Sequence, residues 1–367
     1  MSAVSDLTVL LMSGSWYEKN AYMTLLSKAL REQGIDVRTP DLLLLFPLTR
    51  TRLRNRDADV MQLDWIYDYY ATDDLESARL NDVVSVLRAA TFLLDLLVVS
   101  LLDVRVVRTV HNKRSHDGTY PRIERIVNEC LFWVADAVTV KCSAAADEIS
   151  ATYCVPDARE LSVVPDGNYV DAYENEVSRA EARAELGIGE KRFVFVFFGQ
   201  IRPYKGVTEL AEVFSSLDLP DATLLIVGKP HTADIEAQIT TLAASDPRIE
   251  TWLSFVPDDR IQYYLNAADV LVLPYRKILN SGSALLGLSF GTPMVTPTIG
   301  CLPETVPAEN DLLYDPAATD GLHRALRQAY ESPDLDEISR ANYRRARTLS
   351  WERTCELLIA VYTGRDW

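Results

Sequence analysis

The sequence has little lysine and far more acidic than basic residues. Lysine accounts for 8 of the 37 basic residues, and the formal net charge is −16. A surface of this sign repels phosphates, so general binding to DNA or RNA is not expected. Acid excess with little lysine suits a cytoplasm of high salt concentration, where repulsion between charges is screened. We therefore expect a halophilic source.

Signs of a zinc-binding, secreted or membrane-spanning protein are also absent. The five cysteines include no CxxC pair, so a zinc site is not expected. The N-terminus has no basic segment of the kind that opens a signal peptide. The longest apolar run, residues 89–102, contains Asp95 and is too short to cross a bilayer. The sequence therefore predicts a cytoplasmic protein.

What the sequence does contain is a regular alternation of strand-like and helix-like segments. The strand-like runs are 7–14, 36–39, 59–65, 104–112, 137–143, 192–199, 222–228, 249–255, 269–275 and 293–297. Segments with helical spacing lie between them, which indicates doubly wound, mostly parallel sheets. The chain of 367 residues is long enough for two such domains.

We therefore expect an α/β fold of two Rossmann-like domains facing each other across a cleft. The expected ranges are 1–168 for the N-terminal domain, 175–349 for the C-terminal domain and 350–367 for a terminal helix that packs back on the N-terminal domain. In open sheets of this type, ligands bind beyond the carboxyl ends of the strands.

One loop of the C-terminal half carries two cations directly after a buried strand. The run 193–198 ends at Gly199, and Arg202 and Lys205 follow just before a helical segment. Two cations near the first amides of a helix suit an anionic phosphate. The alternative is that both cations pair with surface carboxylates.

A second loop of the same half is also suited to an anion. Ser281, Gly282 and Ser283 precede a helical segment that either serine can cap while other amides stay free. Two such loops in one domain predict a ligand that contains a diphosphate, such as a nucleotide.

The segments "FFGQIRPYKGVTEL", "AADVLVLPYRKILNSGSALLGLSFGTPMVTPTIGCLPETV" and "RTVHNKRSHDG" together resemble glycosyltransferases of the GT-B fold, close to family 4 (group 1). The resemblance extends over nearly the whole chain and is to members that build polysaccharides and lipid-linked glycans. It implies transfer of a hexose from a nucleotide-diphosphate sugar to a hydroxyl of a glycan or lipid-linked acceptor, without a cofactor or metal. Together with the charge, it suggests a haloarchaeal source.

The resemblance implies a role for each matching residue. Arg202 and Lys205 would neutralise the donor diphosphate, and the amides of the 281–283 loop would bind the same group. His111 matches the family histidine near the reacting sugar. The residues expected to contact nucleotide or sugar are Gly14, with Ser15 beside it, and Gly228, Lys229, Phe255, Val256, Tyr275 and Glu304.

The sequence departs from the family at one point. Family 4 usually has two glutamates eight residues apart that hold ribose and sugar hydroxyls, but these positions are Ile278 and Leu286 here. The donor sugar and the stereochemical outcome therefore stay open. Glu304 would supply one such contact, or is a carboxylate at the start of a helix.

Two mechanisms follow from these residues. In a retaining enzyme, the leaving phosphate takes the acceptor proton and His111 steadies the developing charge. An inverting enzyme needs a general base in the cleft, for which His111, Asp64, His116 and Asp117 are candidates. We expect His111 and Asp64 to be the catalytic residues, since His111 ends a strand.

Segment 41–57 is unusual in this acidic chain, because leucines and a phenylalanine precede Arg50, Arg52, Arg54 and Arg56. Such a strip could lie on the cytoplasmic face of a membrane and meet anionic headgroups. The alternative is that the leucines are core and the arginines pair with acids.

Two other functions remain open. A non-hydrolysing sugar-nucleotide epimerase shares the two-domain fold but needs an acid and base set that the sequence does not show complete. A degenerate partner subunit would explain the missing glutamates, although such a subunit has no reason to keep Arg202, Lys205 and the 281–283 loop.

Overall fold

The computed structural model describes residues 7–14, 21–41, 45–72, 75, 77–114, 119–156 and 161–364. The chain divides into two compact units. Met1–Gly167 and Trp351–Trp367 form the first unit, and Asn168–Ser350 form the second. Each unit contains one parallel sheet of six strands. The expected α/β class with two Rossmann-like domains is confirmed.

The first unit consists of a sheet, six helices from the N-terminal half and the terminal helix. Its strands are β1 (Thr8–Met12), β2 (Asp36–Arg38), β3 (Val60–Leu63), β4 (Arg105–Thr109), β5 (Ala137–Val140) and β6 (Leu161–Val163). Its helices, numbered in chain order, are α1 (Ala21–Glu32), α2 (Pro47–Arg54), α3 (Tyr67–Tyr70), α4 (Ala78–Val99), α5 (Pro121–Val134), α6 (Ser143–Thr152) and α15 (Trp351–Thr363). The strand order is β2-β1-β3-β4-β5-β6.

Helix α15 packs against this first sheet although it lies at the far end of the chain. Cys355, Leu358 and Val361 of α15 belong to the same buried cluster as Val9 of β1 and Leu26 of α1. The burial of this apolar face holds the terminal helix in the first unit.

The second unit has the same construction. Its strands are β7 (Phe193–Phe198), β8 (Ala222–Val227), β9 (Ile249–Trp252), β10 (Val270–Val272), β11 (Met294–Pro297) and β12 (Leu313–Tyr314). Its helices are α7 (Arg179–Glu185), α8 (Val207–Ser216), α9 (Ala233–Ser245), α10 (Ile261–Ala267), α11 (Gly282–Ser289), α12 (Leu302–Thr305), α13 (Gly321–Glu331) and α14 (Leu335–Thr348). Strand β7 is almost entirely apolar and buried, as expected of a parallel strand covered on both faces.

The strand order of the second unit determines where a ligand would bind. The order is β12-β11-β10-β7-β8-β9, so the chain moves outward from β7 in one direction and from β10 in the other. Adjacent strands with diverging connections leave a crevice at their carboxyl ends. The loops that follow β7 and β10 are the two that the sequence singled out for phosphate.

Segment 41–57 contains the helix α2, and residues 42–44 lie outside the described part. Leu48 and Thr51 face inward. The amides of Leu48 and Thr49, in the first turn of α2, donate to the two carboxylate oxygens of Asp95 at 2.7 and 3.0 Å. Asp95 is fully buried, and burial raises its pKa. A carboxylate from α4 therefore caps α2.

Helix α4 has polar side chains on its buried face and apolar side chains outside. Asn81 and Ser85 bond the backbone of Leu75 and Thr72, and Asp95 bonds α2. The outer face exposes half or more of each of these side chains: Leu80, Val83, Leu87, Leu94 and Leu97, with Leu101 just beyond the helix. Their spacing of mostly three or four residues makes one continuous apolar stripe.

We expect Asp95→Ala to lower the free energy of unfolding by about 1–3 kcal/mol, because the first-turn amides of α2 lose their acceptor. Denaturant titration measures the change. Asp82→Ala on the same helix is the matched control, since Asp82 is exposed and should change stability little. Equal effects of the two substitutions would contradict the capping role.

Candidate active site

The two predicted phosphate loops meet at Gly199 in the second unit. A Cβ built on Gly199 would lie 2.9 Å from Ser283 Oγ and 3.3 Å from Lys205 Nζ. Lys205 Nζ also lies 5.6 Å from the centre of the Tyr275 ring, and Tyr275 is buried. Within the described residues Lys205 has no ion pair with a carboxylate. Its charge therefore remains available for a ligand.

Backbone segments approach each other closely around these loops. Gly228, at the end of β8, has φ +143° and lies so close to Gly199 that a Cβ would come 2.0 Å from the Gly199 carbonyl oxygen. Gly206 has φ +67°, and a Cβ there would come 2.1 Å from the Pro274 carbonyl oxygen. Both positions need glycine for conformation as well as for space.

The second predicted phosphate loop, residues 281–283, forms the N-terminus of α11. Ser281 Oγ accepts from the Ala284 amide at 3.2 Å, so Ser281 is the cap, and its hydroxyl is 3.2 Å from the Tyr275 hydroxyl. The amides of Gly282 and Ser283 make no hydrogen bond to any described residue. Two uncapped amides at a helix N-terminus can bind an anion.

The remaining predicted residues of this unit follow the strands β7, β8 and β9. Arg202 precedes a 3₁₀ turn, Pro203–Lys205, and its Nε donates to Gln200 Oε1 at 3.1 Å. Lys229 follows β8 and is exposed, and its carbonyl accepts from the Ile201 amide at 3.0 Å. After β9, Phe255 is 72% exposed and Val256 is buried.

The positions of the missing glutamates lie beside α12. Leu286 is buried in α11, and Ile278 is half-buried. A Cβ on Gly300 would come 2.4 Å from the Ile278 carbonyl oxygen, which places the start of α12 against this loop. Glu304, within α12, has an exposed side chain.

The predicted catalytic pair of the first unit forms a direct contact. Asp64 and His111 follow the neighbouring strands β3 and β4, and His111 Nε2 lies 2.8 Å from Asp64 Oδ1. Both side chains are buried. Gly14, after β1, donates its amide to the Tyr69 hydroxyl at 3.2 Å. The other predicted residues, Ser15, His116 and Asp117, lie outside the described residues.

The environment of His111 favours a neutral ring with one defined tautomer. Its ring stacks on Trp65, with centroids 4.1 Å apart, and meets the edge of Tyr22. Burial, and then the charge of Lys141, lower the pKa of His111. Since the Asp64 carboxylate accepts from Nε2, the neutral ring carries its proton there and keeps a lone pair on Nδ1.

Several buried polar residues at the same sheet edge were not predicted. Lys141, after β5, lies 2.6 Å from Asp166, after β6, and donates to the Tyr22 hydroxyl at 3.1 Å. Gln62, inside β3, bonds Asp64 and Tyr362. The signal for Gln62 was present in the sequence, because a polar side chain interrupts the apolar run of β3. No cluster of three potential metal ligands occurs among the described residues.

Comparison with known proteins identifies the fold. Residues 178–346 match the family model of glycosyl transferases group 1. Sucrose-phosphate synthase from Thermosynechococcus elongatus has a similar structure, with TM-score 0.77 and 16% identity over 98% of each chain. Anabaena HepE, solved with UDP-glucose, gives TM-score 0.72 and 15% identity over 98% of this chain and all of that one. The chain therefore has the GT-B fold.

Two relatives are more similar in sequence. A GDP-mannose:glycolipid 4-beta-D-mannosyltransferase of Xanthomonas campestris pv. campestris is 31% identical over 202 residues, 55% of this chain and 52% of that protein. A D-inositol 3-phosphate glycosyltransferase of Segniliparus rotundus is 27% identical over 285 residues, 72% of this chain and 62% of that protein. The match thus spans about half the length of the first relative.

We expect Gly228→Ala to lower the free energy of unfolding by about 1–3 kcal/mol, because a side chain would meet the Gly199 carbonyl at a left-handed φ. Gly189→Ala is the control, since the nearest atom to its added Cβ is 3.7 Å away. Denaturant titration of both variants measures the difference. A Gly228→Ala variant as stable as Gly189→Ala would contradict the close approach.

Proposed function

We propose that this protein is a glycosyltransferase that moves a hexose from a nucleotide-diphosphate sugar to a hydroxyl of a glycan or lipid-linked glycan. The observation that carries this proposal is the meeting of Lys205 and Ser283 at Gly199. It lies at the crevice between β7 and β10, in the part of the chain that matches the glycosyl transferases group 1 model.

The diphosphate of the donor binds at this point. Lys205 and Arg202 supply positive charge, and the amides of Gly282 and Ser283 supply hydrogen bonds. The negative charge on the diphosphate grows as the bond to the sugar breaks, so these groups stabilise the leaving group more than the bound donor. Gly228, Lys229, Phe255, Val256, Tyr275 and Glu304 border the nucleotide and sugar.

His111 acts as the general base, oriented by Asp64. The acceptor hydroxyl gives its proton to Nδ1 of His111 while its oxygen forms a bond to the anomeric carbon. The bond from that carbon to the phosphate oxygen breaks, and the diphosphate leaves with the electron pair. This displacement inverts the anomeric carbon, as is expected where a side-chain base takes the proton of the acceptor. Gly14, in the loop after β1, contributes to binding of the nucleotide or sugar.

The finer classification is part of the same proposal. The protein is a family 4-like hexosyltransferase that works without a metal or cofactor in the cytoplasm of a halophilic archaeon. The charge of −16 and the scarcity of lysine support the source. The Xanthomonas relative is named for a glycolipid acceptor, which supports a lipid-linked acceptor here.

A lipid-linked acceptor implies contact with the cytoplasmic face of a membrane. No helix in the described part of the chain is long and apolar enough to span a bilayer. The outer stripe of α4 nevertheless exposes leucines and valines, and Leu53 of α2 and Trp133 of α5 are 52% and 62% exposed nearby. Residues 42–56 contain four arginines and no acidic residue. An apolar stripe beside cations matches an anionic lipid surface.

A nucleotide panel tests the donor site. In high potassium chloride, we expect GDP, UDP or ADP to raise the melting temperature of the wild type, because a ligand that binds only the folded state stabilises it. Arg202→Ala and Lys205→Ala should each weaken this binding by about 1.5–3 kcal/mol, because charge-assisted hydrogen bonds are lost. Lys191→Ala, an exposed lysine of the same unit, should bind as the wild type does.

The outcomes separate the candidate functions. No response to any diphosphate, in salt that keeps the protein folded, would favour a degenerate subunit. If the nucleotide binds, product analysis of the sugar nucleotide without an acceptor distinguishes a transferase from an epimerase, since only the epimerase changes the sugar. Unchanged binding in both charge variants would refute the assignment of the diphosphate site.

Sedimentation with vesicles of phosphatidylglycerol and phosphatidylcholine tests the membrane contact. We expect wild type to bind, and Leu87→Glu/Leu94→Glu/Leu97→Glu to lose at least tenfold in binding, because charges in the apolar stripe oppose insertion. Tyr343→Glu, an exposed apolar position of the second unit, is the control. Unchanged vesicle binding with a lower mass by light scattering would identify the stripe as a contact between copies instead.

A further inference from the structure

A chain of four buried side chains leads from the terminal helix to His111. The Tyr362 hydroxyl donates to Gln62 Oε1, and Gln62 Nε2 donates to Asp64 Oδ2 at 2.9 Å. The other carboxylate oxygen of Asp64 lies 2.8 Å from His111 Nε2. Tyr362, Gln62, Asp64 and His111 are 3%, 0%, 1% and 8% exposed. The chain is thus shielded from water at every step.

The sequence positions of these residues explain how they come together. Gln62 and Asp64 are two residues apart at the end of β3, so their side chains lie on the same face of the sheet. Helix α15 packs over that face and brings Tyr362 to Gln62. A buried amide is tolerated only when its polar atoms are bonded, and here Asp64 and Tyr362 bond the two ends of the Gln62 amide.

The direction of the hydrogen bonds is fixed by Asp64, because a carboxylate can only accept and therefore faces the NH₂ group of Gln62. Burial raises the pKa of Tyr362 well above its ordinary value, so the hydroxyl keeps its proton and can donate to the Gln62 carbonyl oxygen. Gln62 must then turn its carbonyl oxygen to Tyr362 and its NH₂ group to Asp64. The reversed amide would place a carbonyl oxygen against a carboxylate. Both oxygens of Asp64 are therefore held, one by Gln62 and one by His111.

We propose that Gln62 and Tyr362 are positioning residues that hold Asp64, and through it His111, in the state that accepts a proton on Nδ1. This inference rests on the proposed function, in which His111 takes the proton of the acceptor hydroxyl. With Gln62 in place, Asp64 cannot rotate away from His111 without leaving a buried amide unbonded. His111 then keeps its Nε2 proton and its Nδ1 lone pair.

The charged and titratable groups around His111 come from four parts of the fold, and they influence its pKa in every variant. Asp64 lies on the β3 side and Tyr22 on α1, while Lys141 follows β5 and Asp166 follows β6. Of these, Asp64 alone is bonded to Gln62. A change at Gln62 therefore reaches His111 through Asp64, whereas Tyr362 also acts electrostatically on Tyr22, which contacts the His111 ring.

Nitrogen-15 NMR of the imidazole rings, on the full-length protein, reads this arrangement directly. The chain has four histidines, so the His111 signals can be assigned by comparison with His111→Ala. In the wild type we expect the Nε2-protonated tautomer and a titration midpoint below the ordinary value of about 6.5. In Tyr362→Phe we expect a mixture of tautomers and a shifted midpoint, because the orientation of Gln62 is released.

Kinetics give a second readout. We expect Tyr362→Phe to lower kcat about tenfold with the KM for the donor unchanged, in line with the loss of one buried hydrogen bond. The acid limb of the pH dependence of kcat should shift by the same amount as the titration midpoint of His111 measured by NMR. Gln62→Met, which keeps the shape and removes both polar ends, should have the larger effect. Tyr70→Phe, another buried tyrosine of the first unit, is the control for removing a hydroxyl.

These measurements distinguish a failure of the positioning role from a failure of the proposed function. If His111 keeps one tautomer and the same midpoint in both Tyr362→Phe and Gln62→Met, the positioning role is refuted, whatever happens to stability. If the tautomer changes but the wild type transfers no sugar, the positioning stands and the proposed function fails. Should Gln62→Met not fold, Tyr362→Phe decides alone, since it removes a single oxygen atom.

Discussion

The close approach of backbone segments at Gly199 is the constraint on which the second unit's site depends. With no side chain at Gly199 or Gly228, the turns after β7 and β8 pack carbonyl against Cα, and Ser283 and Lys205 reach the same point. A Cβ at Gly228 would lie 2.0 Å from the Gly199 carbonyl oxygen, so any larger residue there would force the two turns to move apart. The charge of Lys205 and the amides of α11 converge there because neither glycine has a side chain. The space this leaves is occupied by the side chains of Lys205 and Ser283.

The two units use one architecture for different chemistry. In both, the polar groups follow parallel strands and so gather at one sheet edge. The second unit presents cations and free amides, which suit a group that is already charged. The first unit buries its polar groups and bonds them to one another, which suits control of a single proton. The His111 ring is neutral, stacks on Trp65 and is oriented by its hydrogen bond to Asp64. Lys205, in contrast, forms no ion pair with a described carboxylate.

Much of this was visible in the sequence, and the rest depends on contacts far apart in the chain. Ten strands were predicted from the alternation of strand-like and helix-like segments, whereas β6 and β12 were missed because they are two or three residues long and only partly buried. The glycines and cations of the phosphate loops are local signals. The Tyr362–Gln62 hydrogen bond joins residues 300 positions apart, and the bond from the Leu48 amide to Asp95 joins residues 47 positions apart. A local sequence pattern therefore predicts neither bond.

The contact between Gly167 and Trp351 bears on how the chain is assembled. A Cβ on Gly167 would fall 2.4 Å from the Trp351 ring, so the point where the chain leaves the first unit touches the point where it returns. Residues 168–350 are thus an insertion whose two ends are neighbours, and the first unit is one domain made of two pieces. A short linker from Gly167 to Trp351 would close it with little loss of loop entropy, because the ends already meet. The first unit, with α15 included, is in this sense a separable module.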